Sequence, residues 1–135
     1  MSASFGSSES VDQETRTNSV LLTLPWPPSV NNYWLKTKTH VYISAKGRAY
    51  RERVIEEVAN LGRFGADTRL QVAITAFPPD RRRRDIDNLL KCTLDSLEHA
   101  KVFQDDNQVD RLYIERGEVT PGGQLEVEIQ SVSYE

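Results

Sequence analysis

The chain has 135 residues, enough for one domain, and its 38% apolar and 27% charged residues predict a compact fold and exclude a disordered chain. No apolar run approaches the roughly 20 residues that cross a bilayer, and the N-terminus lacks the basic and apolar regions of a secretory signal. The single cysteine, Cys92, excludes a disulfide framework and a thiolate zinc site. We therefore expect a cytoplasmic protein without a membrane partner.

Charge is unevenly distributed along the chain, although the formal net charge is only −3. Residues 20–100 carry 13 bases and nine acids, whereas residues 101–135 carry three bases and eight acids. A basic body beside an acidic segment suits a phosphate-binding protein with a carboxylate metal site, but such unevenness also arises by chance.

The first half of the chain predicts two strands and one helix. Residues 1–18 are polar and predict a disordered N-terminal extension, which leaves 19–135 as the folded domain. A strand is predicted at Val20–Leu24, where prolines end it, and a second strand at His40–Ile43. After the favourable N-cap Ser44, apolar residues at helical spacing predict a helix of about 15 residues that ends at Gly62.

The second half predicts three strands and a second helix. Alternating apolar residues predict strands at Leu70–Ala76 and Leu125–Ile129, and residues 109–118 predict a further strand. A helix is predicted at Ile86–His99. Its buried stripe comprises Ile86, Leu89, Leu90, Thr93 and Leu97. The order of elements predicts a single α+β domain in which two main helices pack on a mixed sheet of four to five strands.

The segment from Asp80 to Lys91 carries the most informative chemistry. Arg81, Arg82, Arg83 and Arg84 are consecutive, and the acids Asp85 and Asp87 follow them directly. A purely structural explanation is open for the acids. Asp85 would cap the helix, and Asp87 would be an acid in the first turn, where the helix dipole stabilises negative charge. Lys91 would form an ion pair with Asp87 one turn away.

The arginines and acids together favour a different explanation, in which these residues bind a phosphodiester next to metal ions. Guanidinium groups bind phosphate oxygens in a bidentate way, and crowded carboxylates need a positive charge between them. Oxygen ligands select a hard cation such as Mg²⁺ or Mn²⁺, and a water on that cation can attack phosphorus.

These segments resemble RusA-type Holliday-junction resolvases over about residues 20–131. The resemblance is carried by the Pro-rich block Leu24–Ser29 with Asn31 and Asn32, by the Arg-rich block Asp80–Leu89, and by Asp105–Val109. The resemblance implies a homodimeric, Mg²⁺-dependent endonuclease, with Mn²⁺ as a substitute ion and no organic cofactor. Such an enzyme makes paired nicks in four-way DNA junctions, and members of the family favour cutting beside a CC step.

The resemblance also implies the roles of individual residues. Asp85, Asp87 and Asp106 match the metal-binding acids of the family, with Asp105 as a further ligand or an orienting neighbour. Lys91 matches the essential lysine one turn into the helix. Since a four-way junction has two equivalent opposed strands, a two-fold dimer presents one site to each of them.

Basic and aromatic residues are candidates for contact with DNA. The basic candidates are Arg81, Arg82, Arg83 and Arg84, together with Lys46, Arg48, Arg51 and Arg53 of the first helix. The aromatic residues Trp26, Tyr33, Trp34 and Tyr42 are candidates for stacking on unpaired bases, although such residues more commonly pack beneath a loop. His40 and His99 are isolated, and Cys92 is expected to be inert.

Two other functions stay open at this point. Asp85-Ile86-Asp87 has the form of the metal-binding Asp-x-Asp of nucleotide-sugar transferases, although that chemistry normally needs a larger nucleotide-binding sheet. The chain is also compatible with a non-catalytic DNA-binding or dimerisation module in which the acids only cap and solvate.

Overall fold

The computed structural model describes residues 18–134. The predicted extension, residues 1–18, lies outside the described residues except for Asn18. Within the described range, no helix combines the length and the apolar character needed to cross a membrane.

The fold contains six strands and three α-helices within the described residues. The strands are β1 (Ser19–Pro25), β2 (Trp34–Lys36), β3 (Val41–Ile43), β4 (Leu70–Phe77), β5 (Val109–Arg116) and β6 (Gln124–Ser131). The helices are α1 (Val30–Tyr33), α2 (Ala45–Val58) and α3 (Leu90–His99), and short 3₁₀ turns lie at Ile86–Leu89 and Asp106–Gln108.

The central feature is a four-stranded mixed sheet with the order β1-β6-β4-β5. Strand β6 is antiparallel to both β1 and β4, whereas β5 is parallel to β4. Alternate residues of β4 and β6, such as Val72 and Val127, are fully buried, while Glu126 and Glu128 on the other face of β6 are exposed. This alternation buries one face of the sheet beneath the helices, so the predicted α+β domain is confirmed.

Helix α2 begins where the sequence predicts. The hydroxyl of Ser44 accepts a hydrogen bond from the Gly47 amide at 2.9 Å, which satisfies one of the free donors of the first turn. The helix ends at Val58, short of Gly62, because the Leu61 amide bonds to the Val58 carbonyl at 3.0 Å and closes a tighter turn.

The predicted strand at His40–Ile43 exists as Val41–Ile43, but it does not join the central sheet. It pairs with β2 in a separate two-stranded hairpin, with Trp34 opposite Ile43 and Leu35 opposite Tyr42. Neither α1 nor β2 was predicted. The central sheet therefore has four strands, the lower of the two predicted numbers.

The second predicted helix, Ile86–His99, consists of a 3₁₀ turn followed by α3. Its buried side differs slightly from the predicted stripe, because Cys92 and Ser96 are fully buried whereas Ile86 and Leu90 are only half-buried. Burial raises the pKa of the Cys92 thiol to about 12, so this thiol stays protonated at neutral pH.

Candidate active site

Residues 80–85, which we call the arginine loop, connect β4 to the 3₁₀ turn before α3. The Asp80 carboxylate accepts hydrogen bonds from the Arg82 amide at 2.9 Å and from the Arg84 guanidinium at 2.8 Å, and it also pairs with the Arg82 guanidinium at 3.1 Å. The bond from Arg84, followed by those from Arg82, holds the pKa of Asp80 well below its usual range. Two of the four arginines therefore fold back onto their own loop.

The other two arginines, Arg81 and Arg83, are exposed and form no ion pair with any described residue. Their guanidinium groups carry free donors on the outside of the loop. The arginine loop therefore divides its charges into two that hold the loop and two that face outward.

The arginine loop is also fixed to neighbouring elements. The Arg84 guanidinium lies over the Trp26 ring, 5.8 Å from its centroid, and the Arg84 carbonyl accepts a hydrogen bond from Arg116 at 2.9 Å. Gly123 permits the close approach behind Trp26, because a Cβ there would lie 3.0 Å from the Trp26 Cβ and the backbone has φ +71°. Arg116 stands at the end of β5, and no local sequence signal indicated this role.

Asp85 and Asp87 are exposed at the end of the arginine loop and make no side-chain hydrogen bond or ion pair within the described residues. Asp85 has extended backbone angles but does not cap the turn, and Lys91 is exposed without an ion pair to Asp87. Of the purely structural explanation, the first-turn position of Asp87 is found, but the cap and the ion pair are not. Without the cap and the ion pair, both carboxylates and the ammonium group are free for a ligand.

A cleft of about 510 Å³ opens beside Asp85. Its lining also includes Arg83, Arg84 and Asn88, together with Trp26 and Pro27 of the Pro-rich segment. A phosphate in this cleft would therefore meet guanidinium groups and a carboxylate together.

Residues 105–108, which we call the acidic loop, follow α3 and lead into β5. The fully buried Gln108 side chain holds this loop with four hydrogen bonds. It accepts from the amides of Gln104 at 2.8 Å and Asp105 at 3.0 Å, and it donates to the carbonyls of Gly65 and Thr68 at 2.8 Å each. Gln108 belongs to the sequence block Asp105–Val109, but its role in holding the loop depends on the carbonyls of Gly65 and Thr68, which are far away in the chain.

Three carboxylates meet at the acidic loop. The side chains of Glu98, Asp105 and Asp106 offer ligand oxygens within 4.8 Å of one another, and Glu98 also accepts a hydrogen bond from the Asp106 amide at 2.9 Å. This oxygen-only donor set fits a hard cation such as Mg²⁺. The sequence analysis did not include Glu98 among the candidate ligands, although it lies seven residues after Lys91 and thus on the same helix face.

The described chain does not bring Asp85 and Asp87 into this carboxylate group. Asp87 and Glu98 are eleven residues apart along the segment that contains α3, which separates them by about 16 Å at the helical rise per residue. The predicted meeting of Asp85, Asp87 and Asp106 around one ion is therefore not found within a single chain. The fold holds two half-sites at opposite ends of α3.

The basic residues of α2 differ in their availability. Lys46, Arg48 and Arg53 are exposed, whereas Arg51 pairs with Asp95 of α3 at 2.7 Å and also donates to the Tyr33 hydroxyl at 2.9 Å. The contacts of Arg51 thus connect α1, α2 and α3. Arg51 is the predicted DNA contact of this helix with an ion pair among the described residues, whereas Arg48 donates only to the Ile43 carbonyl, at 3.1 Å.

The aromatic candidates also separate into buried and exposed residues. Tyr33 is fully buried, and its hydroxyl donates to Asp95. Burial, together with the bond to Asp95, raises the pKa of Tyr33 to about 12. Trp34 is half-buried edge-on against Tyr33, and Trp26 packs beneath Arg84. Tyr42 is 51% exposed, so it is the most accessible of the four.

Comparison with known proteins matches the sequence to one family. The sequence model described as "Endodeoxyribonuclease RusA" matches residues 25–130. The chain is 42% identical over 113 residues to the crossover junction endodeoxyribonuclease of Enterobacteria phage HK97, covering 83% of this chain and 94% of the relative. It is 40% identical over 119 residues to the crossover junction endodeoxyribonuclease RusA of Shigella sonnei, covering 87% and 99%.

Among solved structures, the periplasmic domain of Helicobacter pylori MotB aligns with 86% of this chain and 76% of its own, at a TM-score of 0.37 and 14% identity. That likeness is too weak to carry an argument. The family match spans most of the described residues and contains both half-sites. The chain therefore belongs to the RusA endodeoxyribonuclease family.

Proposed function

We propose that the chain, through residues 19–135, is a Mg²⁺-dependent crossover junction endodeoxyribonuclease that acts as a homodimer on four-way DNA junctions. The observation that carries this proposal is the set of free groups at the start of α3. Asp85, Asp87 and Lys91 lie beside the arginine loop without partners among the described residues. The relatives named as crossover junction endodeoxyribonucleases support the choice of substrate.

The exposed bases bind and orient the DNA backbone in this proposal. Arg81 and Arg83 clamp phosphate oxygens near the cleft, while Lys46 and Arg48 neutralise phosphates further along the duplex. Arg82 and Arg84 keep the arginine loop in shape through Asp80. Because Arg51 is bound to Asp95, we assign it to the packing of α2 on α3.

The cut itself is hydrolysis of one phosphodiester. Water adds in line to phosphorus, the bond to the 3′ oxygen breaks, and a proton goes to that oxygen, which leaves 5′-phosphate and 3′-hydroxyl ends. Lys91 would stabilise the negative charge that develops on the phosphate and the leaving oxygen. Asp85, Asp87, Asp105 and Asp106 would hold Mg²⁺, with Mn²⁺ as a substitute, and the bound ion would supply Lewis-acid stabilisation and a more acidic water.

A homodimer would join the two half-sites that one chain keeps apart. Helix α3 runs from the arginine loop to the acidic loop, and β5 runs back from the acidic loop to Arg116 beside Arg84. A two-fold axis across the middle of either element would bring the acidic loop of one copy to the arginine loop of the other. Each complete site would then combine Asp85, Asp87 and Lys91 of one copy with the Glu98–Asp105–Asp106 group of the second copy.

Mixing two inactive variants tests this arrangement. Asp87→Asn and Asp106→Asn are each expected to abolish nicking as pure homodimers. In a mixed dimer, a site shared between copies leaves one site with both substitutions and one site intact, so single nicks return. A site within one chain leaves both sites defective, so mixed dimers that nick no junction would contradict the shared site.

The activity is tested with a synthetic four-way junction. We expect nicking in Mg²⁺ by the unmodified protein, and Asp87→Asn should keep junction binding while nicking disappears. Asp67→Asn is a matched control, because Asp67 is exposed and lies outside both half-sites. Junction binding without nicking by the unmodified protein would support the non-catalytic DNA-binding module instead.

A further inference from the structure

The β2–β3 hairpin, residues 34–43, presents a face that the proposed cleavage chemistry does not use. Leu35 lies opposite Tyr42 in the hairpin register, and their side chains are 56% and 51% exposed. The His40 ring stacks on Tyr42, with centroids 5.6 Å apart and an angle of 28° between the rings. This face, formed by Leu35, His40 and Tyr42, is an exposed aromatic and apolar surface.

The opposite face fixes the hairpin to the body of the protein. Trp34 and Ile43 pack against the core. The close approach at the hairpin base requires Gly47, because a Cβ there would lie 2.7 Å from both Ile43 and the Tyr33 carbonyl. The Ser44 amide also bonds to the Tyr33 carbonyl at 2.9 Å. The exposed face is therefore held in a fixed position relative to α2.

The segment of the chain that contains this face carries only positive charges. Residues 19–51 contain five lysines and arginines and no aspartate or glutamate. Lys36 and Lys38 belong to the hairpin, and Lys46 and Arg48 follow it at the start of α2. A polyanion suits such a segment, whereas self-association through it would place like charges against each other.

A groove leads from the hairpin to the candidate active site. It has a volume of about 660 Å³ and is lined by Val30, Asn31, Trp34, Leu35, Lys36 and Lys91. Because Lys91 lies at one side of this groove and the hairpin at the other, one DNA strand could contact both. The hairpin is therefore placed to bind the same DNA strand that the candidate active site would cleave.

We propose that the exposed face of the hairpin binds unpaired bases at the branch point of the junction, with bases stacked on Tyr42 and His40 and the adjoining phosphates bound by Lys36 and Lys38. Stacking on an aromatic ring tolerates any base, which suits recognition of an opened branch point. This inference rests on the proposed junction cleavage. It adds to that proposal that the β2–β3 hairpin binds the unpaired strand at the branch point.

The test measures binding without cleavage, in the Asp87→Asn background, to a junction with unpaired bases at the branch point and to linear duplex DNA. Tyr42→Ala should weaken junction binding by roughly 5- to 150-fold, the range expected for loss of one base–aromatic stack, and should leave duplex binding unchanged. Tyr42→Phe keeps the ring and should bind within about twofold of the parent protein. Tyr134→Ala is the matched control, because Tyr134 is 60% exposed and follows β6, outside the hairpin and both half-sites.

Salt dependence separates stacking from phosphate binding. Lys36→Ala and Lys38→Ala should each lower the slope of log affinity against log salt by about one. Tyr42→Ala should lower the affinity and keep the slope. A 5-iododeoxyuridine placed at the branch point should photo-crosslink to Tyr42 or His40.

Two outcomes would overturn the inference. One is equal junction binding by Tyr42→Ala and the parent protein, together with crosslinks elsewhere. The other is a change of sedimentation in Tyr42→Ala, which would mark the hairpin as an interface between copies. Failure of the proposed function looks different, because then the unmodified protein, with Asp87 and Tyr42 both intact, would not nick the junction.

Discussion

The arginine loop is held by exposed charges, whereas the acidic loop is built around one buried amide. Asp80 binds Arg82 and Arg84 at the protein surface, where water and salt weaken ion pairs. Gln108 is 1% exposed and satisfies four backbone groups with neutral hydrogen bonds. The contacts that hold the arginine loop should therefore respond more strongly to salt and acid than those that hold the acidic loop.

Replacement of Gln108 by Ala should have the largest effect on stability. Four backbone groups would lose their partner inside the protein, so the free energy of unfolding should fall by about 2–4 kcal/mol in chemical denaturation. Gln104→Ala removes an exposed amide of the same type and should change stability by less than about 0.5 kcal/mol. Equal stability of these two variants would contradict the central role of Gln108.

Replacement of Asp80 by Asn should reduce cleavage and leave the fold intact. The amide can still accept the hydrogen bond from the Arg82 backbone, but it no longer holds the guanidinium groups by charge. We expect at least about a tenfold loss of cleavage rate, because the loop beside Asp85 is less well positioned. Junction affinity should not fall, since two cations are released for DNA. A cleavage rate equal to that of Asp67→Asn would exclude this positioning role.

The two loops should also respond differently to acid. Folding lowers the pKa of Asp80 below its ordinary value of 3.8. The ion pairs of Asp80 therefore stabilise the fold fully above pH 3.8, and this stabilisation is lost as the pH falls towards the lower pKa of the folded state. The stability difference between Asp80→Asn and the parent protein should be constant from pH 5 to 8 and shrink below about pH 4. The Gln108→Ala difference should persist at pH 3, because the amide does not titrate. Denaturation curves across this range give the comparison.

Salt should produce the smallest effect, a local change in hydrogen exchange. The Arg82 amide donates to the charged Asp80 carboxylate, whereas the Gln104 and Asp105 amides donate to the neutral Gln108 side chain. Raising the salt concentration to about 1 M should speed exchange of the Arg82 amide more than that of the other two. Equal acceleration at all three amides would show that the two loops open together.

Local patterns predicted the elements whose formation depends on near neighbours in the chain. Ser44 was identified as a cap because its partner, the Gly47 amide, lies three residues away. Strand β4 was identified because the alternation of buried residues is a property of consecutive positions. The unpredicted hairpin partner β2 shows the limit, because its three residues follow a polar stretch and carry too short a pattern.

The sequence by itself determined the family, the mixed α+β composition and the acids, lysine and arginines of the two loops, because each is encoded in contiguous residues. The tertiary structure alone decided which of these groups are free and which are occupied. It pairs Arg51 with Asp95, ties Arg82 and Arg84 to Asp80, and joins Glu98 to the acidic loop. The physical reason is that availability depends on which side chains meet across elements far apart in the chain, and the length of α3 sets the distance between the two half-sites.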